Sequence, residues 1–248
     1  MYSYEQIVSD IKKKIYKPIY YLMGEESFYI DEITSLLEMS ILPEAERSFN
    51  QSVFYGKDIE LGALLDNARR FPMMSNYNVV IVKEAQNMKG VEGATGDQVD
   101  PLMLYIQNPP KTTILVINLK GKSLDKRRKL YSALDKNCVL FESKKIYDNK
   151  VGEWILNRIK EYGKTIDIKA AELMAGHLGN DLSLVDRELQ KLVIVAPKTG
   201  PITLKEIEEH VGISKDFNIF ELQNALSKKD VYRANLIVTH LGQNPKTK

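Results

Sequence analysis

The sequence predicts an α/β fold with a parallel sheet in its first part, followed by helices alone. Five short apolar segments alternate with helical patterns up to residue 145, and strands separated by single helices are typical of a parallel sheet covered on both faces. Beyond residue 145 the apolar residues recur only at helical spacing. The predicted strands cover residues 18–23, 52–55, 78–83, 112–118 and 138–142, and the predicted helices between them cover residues 31–41, 58–70, 99–107 and 123–136.

The second part of the chain predicts a small bundle and the beginning of a further helical segment. The bundle contains four short helices, and the fourth begins at a capping box formed by Thr203 and Glu206. Two more helical patterns follow, and a pair this small cannot bury its apolar face well. We therefore expect the chain to stop within a further helical domain. The predicted domains are residues 1–145, 146–213 and 214–248.

The composition is that of an ordinary soluble globular protein. The 248 residues are 44% hydrophobic and 27% charged, with a net charge of +2 that demands neither a nucleic acid nor a membrane as partner. The one cysteine, Cys138, lies in an apolar run, which predicts burial and excludes a disulfide within the chain. No apolar run approaches the ~18 residues of a membrane span. We expect a cytoplasmic protein without a membrane partner.

The end of the first predicted strand is where a parallel α/β fold would bind phosphate. Residues 24–31 read GEESFYID, without the second glycine and the lysine of a phosphate-binding loop. Glu25 and Glu26 stand there instead, and carboxylates repel phosphate. The three histidines lie far apart, without the spacing of a zinc site or of a base beside a nucleophile. The residues predict no catalytic, metal or cofactor site.

Residues 69–82, RRFPMMSNYNVVIV, contain the most informative pattern of the chain. Pro72 ends the preceding helix, and the apolar run that follows Tyr77 predicts a strand buried on both faces. Met73 and Met74 lie between these elements, where loops usually carry polar residues. The flexible methionine side chain suits a protein-docking surface, but the pair could also fold back into the local core. Spacing alone leaves both interpretations open.

A basic run contains Lys120, Lys122, Lys126, Arg127, Arg128 and Lys129. Its side chains could contact the phosphates of a nucleic acid. Alternatively, they are the solvated face of a helix that starts at Ser123 and buries its leucines on the other side. The near-neutral charge of the chain favours the solvated face.

Six segments in one order make the chain similar to a known family. They are residues 18–32 (PIYYLMGEESFYIDE), 68–82 (ARRFPMMSNYNVVIV), 108–116 (NPPKTTILV), 125–131 (DKRRKLY), 179–192 (GNDLSLVDRELQKL) and 217–222 (FNIFEL). Together they resemble the delta subunit of the bacterial DNA polymerase III clamp loader. The resemblance implies AAA+ ancestry with a lost ATP site, in a chain that has an AAA+-like α/β domain, a helical lid domain and the start of a helical collar domain.

The resemblance also implies partners and site residues. Family members bind the sliding clamp, or beta subunit, and hold its ring open, assemble with other loader subunits through the collar, and meet primed DNA in the assembled loader. Met73 and Met74 match the family's clamp-binding pair, flanked by Phe71, Pro72 and Ser75. Met74 stands where many relatives carry an aromatic residue. Of the apolar three, we expect Phe71 to be in the core and Pro72 to turn the methionines outward.

Two other functions stay open at this point. One is an ATP-hydrolysing AAA+ enzyme with an unusual phosphate loop. The other is a DNA-binding module that uses the basic run, with Lys126, Arg127 and Arg128 as the phosphate contacts.

Overall fold

A computed structural model describes residues 1–93, 100–196, 200–211 and 218–243 of the chain. The chain forms two compact units, Met1–Lys145 and Ile146–Lys248. Each unit has its own hydrophobic core, and each is described by itself.

The first unit is built around a sheet of five parallel strands in the order β2-β3-β4-β1-β5. Every residue of β1 is buried, as are all but the last residues of β3 and β4, because these strands lie in the middle of the sheet with both faces covered. The prediction of an α/β fold with a parallel sheet is confirmed. The strands are β1 (Ile19–Gly24), β2 (Gln51–Tyr55), β3 (Asn78–Lys83), β4 (Thr113–Lys120) and β5 (Val139–Ser143).

Within residues 1–93 and 100–145, six helices and one 3₁₀ turn accompany this sheet. Apolar side chains of the strands alternate between two core clusters, one on each face of the sheet. Cys138 lies in one cluster, as predicted, and its burial raises the pKa of the thiol to about 12. The elements are α1 (Tyr4–Lys12), α2 (Ser27–Ser40), α3 (Glu44–Asn50), α4 (Leu61–Ala68), the 3₁₀ turn Ala85–Asn87, α5 (Pro101–Gln107) and α6 (Lys129–Asn137).

The predicted helix start at Ser123 is wrong. Helix α6 begins at Lys129, because the carboxylate of Asp125 accepts hydrogen bonds from the backbone and the guanidinium of Arg127. The backbone amide of Arg128 bonds to the carbonyl of Asp125 as well, which closes a turn rather than a helix. Most of the basic run therefore lies in a strand end and a turn. Helix α3 was not predicted.

The second unit contains six helices in the described residues. The first four pack around one apolar core, and the capping box is confirmed, because the Thr203 backbone amide donates to the Glu206 carboxylate over 2.8 Å. The predicted start of the last segment at residue 214 lies outside the described residues, so the division into three domains stays a prediction. The helices are α7 (Asp148–Glu161), α8 (Ile168–Leu178), α9 (Leu182–Val195), α10 (Leu204–Val211), α11 (Ile219–Ser227) and α12 (Val231–Gln243).

Candidate protein-docking site

The segment between α4 and β3, residues 69–77, is here named the α4–β3 loop. The last carbonyls of α4 lack helical partners, and side chains from elsewhere in the unit satisfy them. The side-chain amide of Asn78 donates to the carbonyl of Asn67 at 2.9 Å, and the Tyr105 hydroxyl donates to the carbonyl of Ala68 at 3.2 Å. The helix therefore ends at a fixed point, and the loop leaves it in a defined direction.

The middle of the loop is fixed by Asn50, the last residue of α3. The Asn50 side-chain oxygen accepts from the backbone amide of Met73 at 2.6 Å, and its side-chain nitrogen donates to the carbonyl of Met73 at 3.0 Å. Asn50 is only 2% exposed, so water does not compete for these bonds. The same nitrogen donates to the carbonyl of Glu46, which links the loop to α3. We call the two bonds between the Asn50 side chain and the backbone of Met73 the Asn50 bracket.

Three large apolar side chains of the loop face solvent. Phe71 is 85% exposed, Met73 is 65% exposed and Met74 is fully exposed at 103%. The expectation that Phe71 belongs to the core is wrong, because the leucines of α4 and the strands already fill that face of the sheet. Met74 also has a positive φ of 51°, a conformation that residues with a side chain seldom adopt. A fixed backbone that exposes apolar side chains is what a docking site needs.

The end of β1 differs from a phosphate-binding loop in its hydrogen bonds as well as in its sequence. The backbone amide of Gly24 donates to the carbonyl of Lys122, and that of Glu25 donates to the carbonyl of Ser143. The carboxylate of Glu26 accepts from the amide of Phe28 and caps the first turn of α2. A helix N-terminus in this place would attract phosphate, but here a carboxylate of the chain itself occupies it.

The basic run is paired with acidic side chains of the same unit. Lys120 lies 2.6 Å from Asp31, Lys122 lies 3.0 Å from Glu92, and Lys126 lies 3.5 Å from Glu142. Arg127 pairs with Asp125 at 2.8 Å and holds the pKa of that carboxyl at about 2. The guanidinium of Arg128 donates to the carbonyl of Glu92. These partners reduce the positive potential that the sequence suggests at this surface.

Metal-binding groups and membrane-spanning helices are two further kinds of candidate feature. No group of three histidine, cysteine, aspartate or glutamate side chains could hold a metal ion within the part of the chain that is described. None of the helices in that part has the length and apolar character needed to cross a bilayer.

Comparison with known proteins decides the family. The model of the family described as "DNA polymerase III, delta subunit" matches residues 20–144, half of the chain. The chain belongs to this family. The resemblance stated from the six segments is therefore confirmed. The matched residues include the α4–β3 loop and the basic run.

One curated delta subunit and one solved structure are similar to this chain over most of its length. DNA polymerase III subunit delta of Bacillus subtilis (strain 168) is 31% identical over 218 residues, which are 87% of this chain and 63% of that protein. The structure of the Bacillus subtilis DNA clamp loader delta protein has a TM-score of 0.73 at 28% identity, covering 96% of this chain and 71% of that one. This delta-family chain thus spans less than two thirds of the curated relative.

Sequence reasoning located the methionines but missed the residue that fixes them. Asn50 and Met73 are 23 residues apart. No periodic pattern or turn signal links two such positions, so only the fold brings them together.

Proposed function

We propose that this chain binds the sliding clamp through Met73 and Met74 and helps to hold its ring open. The observation that carries the proposal is the exposure of both side chains on a bracketed backbone, in a member of the delta family. Phe71 is exposed beside them and adds apolar area, while Pro72 and Ser75 shape the loop. Binding energy at such interfaces concentrates in a few apolar anchors that enter pockets of the partner.

The bracket makes binding more favourable because it reduces the ordering that binding requires. A disordered loop would lose conformational freedom on docking, at roughly 0.5–1.5 kcal/mol for each immobilised side chain rich in rotamers. Here the backbone of Met73 is already fixed, so only side-chain rotamers remain to be ordered. Once bound, the chain stabilises the conformation of the clamp that fits the loop, and the population shifts toward an open interface.

The proposed role includes no ATP hydrolysis by this chain. Two observations support this part: residues 24–31 lack the second glycine and the lysine of a phosphate loop, and Glu26 caps the helix where phosphate would bind. Hydrolysis would then belong to partner subunits of the loader, reached through the collar segment, and primed DNA would meet the assembled loader. Measurable ATP binding by the isolated chain would contradict this part of the proposal.

Contact of Lys126, Arg127 and Arg128 with DNA phosphates remains a separate prediction. Affinity for a polyanion increases when unpaired cations of the protein displace the counterions that surround its phosphates. Because two of these three side chains already lie within ion-pair distance of a carboxylate, the run has less to gain than its sequence suggests.

The decisive experiment is a calorimetric titration with the sliding clamp from the same organism. The double substitution Met73→Ala with Met74→Ala should weaken binding by several kcal/mol, because each central anchor contributes roughly 2 kcal/mol or more. Ile194→Ala is the matched control, since Ile194 is also an exposed apolar residue but lies in the second unit. Unchanged affinity of the double variant, with its fold verified by circular dichroism, would overturn the proposed site.

A further inference from the structure

The α4–β3 loop forms part of a groove in the first unit. Residues 75–77 line it together with Met39 and Arg47, and the cavity volume is about 510 Å³. Tyr16 and Tyr77 also line it, and their rings meet edge-on with centroids 5.9 Å apart. We name this feature the Tyr16–Tyr77 groove. Its lining residue Ser75 follows Met74 directly in the chain, so one end of the groove adjoins the proposed docking site.

The groove carries positive charge that the chain does not neutralise. Lys14 lines it, and Lys12, Lys13 and Lys17 are its exposed neighbours in sequence. None of these four lysines has an acidic side chain within ion-pair distance in the described residues.

Two further charged side chains line the groove. The guanidinium of Arg47 donates to the backbone carbonyls of Met39 and Leu42, at 2.6 and 3.1 Å, so no carboxylate balances its charge. Among the described residues that line the groove, only Glu46 carries a carboxylate. The balance of charge at the groove is therefore positive.

The chemistry of the walls selects the kind of partner. A nucleic-acid backbone would need cations but would gain little from the thioether of Met39 or from a short groove. A peptide segment with acidic and apolar side chains would use both the lysines and the aromatic walls. The groove also adjoins two exposed methionines, which suit a protein surface.

We propose that the Tyr16–Tyr77 groove binds an acidic segment of the same clamp that Met73 and Met74 engage. This inference rests on the proposed function and extends it, because it adds an electrostatic contact to an apolar one. The methionines supply most of the affinity, and the lysines raise the association rate and fix the orientation of the clamp. The two contributions differ in their response to salt, since exposed charges are screened and apolar contacts are not.

The test compares variants in calorimetric titrations with the clamp at about 50 mM and about 300 mM salt, on either side of physiological ionic strength. Lys14→Glu with Lys17→Glu should weaken binding about tenfold at low salt and by less at high salt, because reversed rim charges repel an acidic partner. Lys144→Glu with Lys145→Glu is the matched control, because it reverses two exposed lysines of the first unit that do not line the groove, and it should stay within about twofold of the parent.

The outcomes separate this inference from the proposed function. If the methionine double variant binds as the parent does, the proposed function fails, and this inference with it. If that variant is weakened but Lys14→Glu with Lys17→Glu binds like the parent at both salt concentrations, the groove alone is overturned. If the lysine reversal leaves clamp affinity unchanged but weakens binding to a DNA oligonucleotide, the groove serves a nucleic acid and the inference is wrong.

Discussion

The α4–β3 loop exposes apolar side chains on a backbone fixed by polar contacts, whereas the segment from Lys120 to Lys129 exposes charges that its own unit already pairs. Phe71, Met73 and Met74 are exposed and belong to neither core cluster among the described residues of the first unit. Most cations of the other segment lie within ion-pair distance of a carboxylate. Water cannot satisfy an apolar side chain as it satisfies a charge, so a partner gains more free energy at the loop.

A binding surface is therefore indicated by side chains whose charge or apolar area is left without a partner, rather than by the side chains that are most conspicuous in the sequence. The basic run is the more conspicuous in the sequence, with six cations in ten residues. The lysines from Lys12 to Lys17 are fewer, but they lack acidic partners in the described residues, and Lys14 lines a groove together with the end of the α4–β3 loop. The proposed partner surface is therefore the one at which both apolar area and charge remain available.

Removing the Asn50 bracket should have the largest effect on the contrast between the α4–β3 loop and the basic run, because it releases the backbone that exposes the methionines. Asn50→Ala removes both side-chain partners of the partly buried Met73 amide and carbonyl, and should lower the free energy of unfolding by about 1–3 kcal/mol. Clamp affinity should fall as well, although both methionine side chains remain. Denaturant unfolding and calorimetric titration measure the two effects.

Asn67→Ala is the matched control for this substitution. Among the described residues, the Asn67 side chain donates only to the carbonyl of Ala63 within its own helix, so its removal should change the free energy of unfolding by less than about 0.5 kcal/mol. If Asn50→Ala lowers stability but the variant binds the clamp like the parent, the bracket does not position the loop for binding.

A smaller effect on stability distinguishes the contribution of the Met74 backbone conformation from that of the Met74 side chain. Met74→Gly should be more stable than Met74→Ala by about 1 kcal/mol, because glycine adopts the positive φ at this position without steric cost. Both variants should lose clamp affinity equally, since both lack the thioether. Thermal unfolding and titration of the two variants check this.

The same exchange at Met73 supplies the control. The φ of Met73 is not positive, so Met73→Gly should be less stable than Met73→Ala. Equal stabilities of the glycine and alanine variants at position 74 would show that the backbone there stores no strain.

The sequence carried the local signals of both regions but not the contacts between distant residues. The start of β3 at Asn78 was predicted correctly, and the predicted end of the preceding helix at residue 70 lies two residues beyond the end of α4 at Ala68. Phenylalanine is usually buried, which favours a core position for Phe71 in the sequence. Its exposure follows only from the fold, in which other side chains already fill the core.

The basic run shows the same limit. Its charges were visible in the sequence, but Asp31 and Glu92 are distant in the chain and meet Lys120 and Lys122 only in the fold. The turn at Asp125 was missed because a leucine pattern at helical spacing extends across it, and spacing alone does not register a side chain that captures the following amides.

The smallest predicted effect concerns the pKa of Asp125, which reports whether Arg127 of the basic run is paired with this carboxylate. The hydrogen bonds from Arg127 stabilise the ionised carboxylate of Asp125 and lower its pKa to about 2. Because the pKa in the folded protein is lower than in the unfolded chain, the stabilisation is present above the unfolded pKa and is lost as the pH falls toward 2. Arg127→Ala should return the pKa of Asp125 toward the usual 3.8, as a nuclear magnetic resonance titration of the carboxyl would report.

Lys129→Ala is the control, since Lys129 has no ion pair with Asp125 and its removal should leave that pKa near 2. An Asp125 pKa already near 3.8 in the parent protein would mean that Arg127 is unpaired in solution, and the contrast with the α4–β3 loop would then fail at this residue.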